Sequence, residues 1–157
     1  LEPGNTTYRR DLSISYNKLA DLALAAGRSV DAEALYRQAL QVAEELTELE
    51  PGNTTYRRDL SISYERLADL AMWTGDLIIA RKFVDQAANI RRAVHELELR
   101  RVDVAIELAY ALYLSATIAA MEARSNGGEA EREEIRQVLT PFEQDGLLSA
   151  RGHSFLA

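Results

Sequence analysis

The apolar residues of this chain recur at intervals of three and four rather than in alternation, the spacing of a helical face. Tyr8, Leu12, Tyr16, Leu19 and Ala23 mark one such face, and Val30, Leu35, Ala39, Val42 and Leu46 mark a second. Gly27 stands between the two runs, where a helix ends readily because glycine adopts the left-handed conformation at little cost. The pattern then starts again. LEPGNTTYRRDLSISY occupies Leu1–Tyr16 and, letter for letter, Leu49–Tyr64. Aligning residues 1–48 with 49–96 gives 26 identities, among them LADLA at Leu19–Ala23 and Leu67–Ala71, Gly27 with Gly75, and Ala32 with Ala80. A period of this size marks stacked supersecondary units. Each 48-residue unit reads as two antiparallel helices.

The opening block of the unit reads as its junction. Leu-Glu closes the preceding helix, Pro3 and Pro51 cannot continue it, Gly4 and Gly52 permit the reversal, and Asn5 and Asn53 cap the next helix. A third, degenerate unit follows: a first helix over Arg100–Arg124, a turn at Ser125-Asn126-Gly127-Gly128, and a second helix over Glu129–Gln144. Terminal units of an array are commonly atypical because one face has no neighbour. Thr140-Pro141-Phe142-Glu143 resembles a capping box, where the helix either restarts or kinks. Leu147–Ala157 is expected to close the stack as a short helix. The predicted pairs are 6–26 with 29–48, 54–74 with 77–97, and 99–124 with 129–144; the units are 1–48, 49–96 and 97–144, with a capping segment at 145–157.

Within each unit the phased small residues carry a resemblance. Tyr16, Leu19, Ala20, Ala23, Gly27 and Ala32, continued by Tyr36, Ala39 and Leu40, resemble the signature of the tetratricopeptide repeat. The second copy keeps Tyr64, Leu67, Ala68, Ala71, Gly75, Ala80 and Ala87. It has Val84 where the family prefers an aromatic residue, and both copies place Ala where the family has Gly after Leu. The unit is longer than the usual ~34 residues, as in the extended repeats of kinesin light chains and long bacterial arrays. The resemblance implies an all-α fold: a right-handed α-solenoid of about three antiparallel helix pairs with a short C-terminal helix. It further implies a concave groove lined by the first helix of each pair. Carried across, the groove positions are Asn17 and Asp21, Glu65 and Asp69, and Tyr113 and Thr117, with Met72 and Trp73 one turn later and Arg10 and Arg58 one or two turns earlier. The acidic residues among them either face the groove or form a solvated helix face. Trp73, which replaces Ala25 between the copies, either anchors a ligand side chain or packs on the next unit.

Composition narrows the function classes. The net charge of −7, with arginines scattered along the chain, opposes binding to nucleic acid or to an anionic membrane. There is no Cys, and His95 and His153 lie far apart, so neither a disulfide framework nor a metal site is indicated. HELE at His95 lacks the second His of a zinc helix, and no phosphate loop or nucleophile elbow is present. The apolar run Leu108–Met121 is 14 residues, short of a bilayer span, and reads as a helix buried between neighbours. Asn5-Thr6-Thr7 and Asn53-Thr54-Thr55 match the glycosylation pattern, but capping explains them. With no secretory leader in view and a start inside a turn motif, the chain is expected to be a piece of a longer cytoplasmic protein. Sixteen Arg against two Lys fits a bacterial origin.

No catalytic residue, cofactor or metal is expected. The first function reading is an interaction scaffold that binds a protein or peptide, one with basic residues, through the groove. The second is an autoregulatory or structural segment of a larger bacterial signalling protein with a nucleotide-binding or caspase-like domain. Self-association through exposed repeat ends is expected as well.

Overall fold

The computed structural model describes residues 5–122 and 127–157. Among the described residues there are seven helices: α1 (Thr6–Ala25), α2 (Ser29–Leu49), α3 (Thr54–Thr74), α4 (Leu77–Leu97), α5 (Val102–Met121), α6 (Glu129–Gln144) and α7 (Ala150–Ser154). No strand occurs among the described residues. The helices pack as adjacent pairs, α1 with α2, α3 with α4 and α5 with α6, while α2 also packs on α3 and α4 on α5. The first LEPG block and the Ser125-Asn126 part of the third turn lie outside the described residues.

The repeated letters produce repeated local structure. Asn5 Oδ1 accepts the Thr7 and Tyr8 backbone N–H groups at 2.9 and 3.4 Å, and Asn53 Oδ1 accepts those of Thr55 and Tyr56 at 3.0 and 3.2 Å. Each cap satisfies donors that have no partner within the helix. At the other end, Gly27 and Gly75 hold φ of 76° and 83°. There the N–H groups of Arg28 and Asp76 reach back to the carbonyls of Ala23 and Ala71, both at 2.9 Å, closing the two first helices in the same way.

The third unit keeps this geometry without the motif. Asn53 N–H donates to Glu50 O at 3.0 Å, and 48 residues later Arg101 N–H donates to Glu98 O at 3.0 Å. This turn delays α5 to Val102 rather than residue 99, although neither Pro nor Gly marks it. At the far end α6 continues through Pro141 to Gln144, so no new helix begins at Thr140. The short helix expected in the tail is α7.

Small residues set the helix spacing. Ala20 and Ala68, Ala32 and Ala80, and Ala39 and Ala87 are equivalent pairs, and all six are fully buried. A side chain of this size lets two helix backbones approach while larger neighbours fill the gaps. One core cluster runs through α1–α4 and reaches Leu114 and Ile118 of α5. A second joins α5 and α6 to Leu148, Phe155 and Leu156 of the tail. The apolar run noted in the sequence is α5, which packs between α4 and α6 with most of its residues buried.

Candidate functional site

The first helices of the pairs are bonded to one another in a fixed register. Arg10 of α1 forks onto Asp59 of α3, Nε to Oδ2 at 2.5 Å and Nη2 to Oδ1 at 3.2 Å. Arg58 of α3 forks onto Glu107 of α5, Nε to Oε2 at 2.9 Å and Nη2 to Oε1, and also reaches Asp103 at 3.1 Å. Donors and acceptors are each 48 positions apart, so the two forks are one contact made twice. Bidentate guanidinium–carboxylate pairs fix orientation as well as distance. Arg10 and Arg58, expected as groove residues, are therefore engaged in joining the units.

Further along the same face, carboxylates receive hydroxyl groups. The Tyr36 hydroxyl donates to Asp21 Oδ1 at 2.5 Å, and the Tyr110 hydroxyl donates to Asp69 Oδ2 at 3.0 Å. Arg66 of α3 adds an ion pair to Asp21 at 3.4 Å, again joining neighbouring first helices. Burial raises the pKa of both tyrosines, and their carboxylate acceptors push the same way. Tyr64, partly buried and donating to Glu44, is pushed up to about 12. Burial also raises the Asp69 carboxyl, against the pull of the Tyr110 hydroxyl.

Glu65 departs from its expected place in an open groove. It is 5% exposed and is gripped by Arg91 of α4, Nε at 2.9 Å and Nη2 at 3.2 Å. Arg91 also donates to Glu107 at 2.5 Å, which links this pair to the Arg58 fork. Burial raises the Glu65 carboxyl and Arg91 opposes the rise. In the first unit the equivalent residues are Asn17 and Ala43. With alanine in the arginine's place, the buried Oδ1 of Asn17 has no hydrogen-bond partner among the described residues.

Three adjoining cavities lie on this face. One of about 200 Å³ is lined by Ile14, Asn17, Lys18, Asp21 and Arg66 among others. A second of about 460 Å³ has Asp21, Leu24, Ala25, Asp69 and Trp73 around it, with Arg66 again. A third, about 310 Å³, is lined by Arg66, Asp69, Ile106, Tyr110 and Arg151, with Glu65 and Glu107. Arg66 thus borders all three. Trp73 is 66% exposed and forms a wall of the second, whereas Met72 is half-buried against the core and lines none of them.

Tyr113 and Thr117 sit at the α5 end. The Thr117 hydroxyl donates to the Tyr113 carbonyl at 2.9 Å, and the Tyr113 ring faces the tail. The tail was expected as a short closing helix, but its contacts with Tyr110 and Tyr113 were not. Ser149 Oγ caps α7 through the Gly152 N–H at 3.3 Å, and Gly152 lies so close that a Cβ there would be 2.9 Å from Leu148 and 3.4 Å from Ile106. That approach sets the Arg151 guanidinium 5.3 Å from the centre of the Tyr110 ring. Phe155 lies 5.8 Å from the Tyr113 ring and 6.5 Å from that of Tyr110. Cation–π and tilted aromatic contacts hold it there. Arg66, Ile62 and Tyr110 were also missed, although Ile14, Ile62 and Tyr110 recur at the period of 48.

The face offers hydrogen-bond acceptors, a half-exposed guanidinium and an apolar wall. Among the described residues no group of three or more His, Asp or Glu side chains is placed to hold a metal ion. No protein-family model matches the sequence, and no curated protein aligns with it.

Proposed function

We propose that this chain is a tetratricopeptide-like, right-handed solenoid and a non-catalytic interaction module whose α1, α3 and α5 groove binds a peptide or protein segment. The partner segment offers a basic side chain and an apolar one. The observation that carries this reading is the tail itself, which lays Arg151 and Phe155 on Tyr110 and Tyr113 at one end of the face. A basic and an aromatic side chain four residues apart thus already fit there, and the cavities around Asp21, Asp69 and Trp73 continue the same surface. The acidic preference narrows to Asp21 and Asp69, since Glu65 is consumed by Arg91.

A peptide-library screen with wild type and with Asp21→Asn/Asp69→Asn tests it. Basic peptides with a neighbouring aromatic or aliphatic residue should be enriched, and the double variant should bind them about fivefold or more weakly. Enrichment that survives the double change, or that shows no basic preference, contradicts the reading. The in-cis position of Arg151 and Phe155 also favours a second reading, in which the tail regulates access to the groove. Arg151→Ala/Phe155→Ala should then bind the selected peptides more tightly than wild type.

A further inference from the structure

Positions 8, 12, 15, 19 and 22 of α1 and positions 56, 60, 63, 67 and 70 of α3 carry the same residues in the same order: Tyr, Leu, Ser, Leu, Leu. Their surroundings differ. In α3 the stripe is buried, with Tyr56 and Leu60 at 8% exposure, Leu67 at 2% and Leu70 at 4%. In α1, Tyr8 is 54% exposed, Leu12 45%, Leu19 52% and Leu22 65%. The equivalent stripe of α5, Val104, Leu108, Ala111, Ser115 and Ile118, is buried as well. Each first helix has its own pair partner; α3 and α5 also have the second helix of the preceding unit against them. That helix is what covers the stripe, and among the described residues α1 has none in its place.

The polar contacts show the same gap. Asp11 occupies the position of Asp59 and Glu107, which accept the forks of Arg10 and Arg58. Asp11 is exposed and makes no ion pair among the described residues. Tyr16 occupies the position of Tyr64, whose hydroxyl donates to Glu44 of the preceding unit at 2.9 Å. A surface with this apolar stripe, this carboxylate and this hydroxyl is complementary to one thing visible in the molecule, the flank of a preceding unit.

We propose that the exposed face of α1 is a stacking surface whose occupant is a further helix pair of the same 48-residue kind, joined in the same chain through a LEPGN junction. Its counterpart of Arg10 bonds Asp11, and its counterpart of Glu44 takes the Tyr16 hydroxyl. A second copy of the chain docked head to tail does not supply this flank. The buried positions Tyr36 and Leu40 of α2, and Val84 and Ala88 of α4, become Arg132 and Arg136 in α6, both exposed and paired with Glu129 and Glu133 of the same helix.

The test uses the absence of Cys in the chain. A duplicate of residues 1–48 fused in frame ahead of residue 1 recreates the residue 48–49 junction without a scar. Leu19→Cys is placed in the original unit of both the 157-residue and the extended chain, with Leu67→Cys as the buried reference, and thiol labelling rates are measured at several concentrations. Extension should slow labelling at position 19 by about tenfold or more, toward the rate at position 67. Asp11→Asn in the original unit should lower the melting temperature of the extended chain and leave that of the 157-residue chain unchanged. An unchanged labelling rate on extension overturns the proposal. So does a position 19 already protected in the 157-residue chain in a concentration-dependent way, which assigns the face to a second copy.

Discussion

The two copies differ at few buried positions, and two of those differences answer each other. Asn17 and Ala43 in the first unit become Glu65 and Arg91 in the second, and Glu65 and Arg91 form a buried ion pair between α3 and α4. Removing one member of such a pair leaves an uncompensated charge, whereas changing both restores a neutral contact. Arg91→Ala should therefore cost about 3–5 kcal/mol of unfolding free energy. The double change Glu65→Asn/Arg91→Ala, which writes the first unit's solution into the second, should recover most of that loss in urea denaturation. Equal losses for single and double variants would show that the pair is not coupled. The position of Glu65 on a first helix was carried across by the resemblance, but its partner was not legible. Arg91 sits on the other helix of the pair, 26 residues away, and one helix's periodicity says nothing about which side chain crosses to it.

At the scale of the element, period and punctuation together were sufficient at the asparagine caps and glycine stops of the first two units, though not at Pro141, through which α6 continues. The caps at Asn5 and Asn53 and the stops at Gly27 and Gly75 are local chemistry, so the letters specify them directly. Gly75 has nothing within 4 Å of where a Cβ would lie, so its requirement is conformational alone. Gly75→Ala should destabilise the chain by about 1–2 kcal/mol, the left-handed penalty of an L residue, without altering the folded core. Thermal melts together with an unchanged near-ultraviolet spectrum would check this; a neutral substitution would mean that the α3–α4 turn relaxes. The turn at Glu98–Arg101 and the tail α7 were less legible. The first repeats the Glu50–Asn53 hydrogen bond with no turn-forming residues, because the units stacked on either side dictate it. The second is positioned by contacts of Gly152, Arg151 and Phe155 with α5, which tertiary packing alone reveals.

At the scale of the whole molecule, the recurrence of contacts says more than the recurrence of letters. Arg10 with Asp59 and Arg58 with Glu107 are the same fork one unit apart, although the third unit shares little sequence with the first two. Such a fork made twice is what the proposed solenoid expects, with α1 to α3 and α3 to α5 related by nearly the same displacement. It also brings Asp21, Arg66 and Asp69 onto one surface, so the proposed groove depends on it. The central claim is accordingly that a single step relates the three helix pairs. Gln41, Asn89 and Gln137 lie 48 apart on α2, α4 and α6, and all three are exposed. Spin labels on cysteines placed there two at a time, in a chain without native cysteine, measure that step by electron–electron resonance. With helix layers ~8–10 Å apart, the 41–89 and 89–137 distances should coincide near about 20 Å, and the 41–137 distance should exceed both. Two clearly unequal steps, or a 41–137 distance no longer than either, would contradict the account.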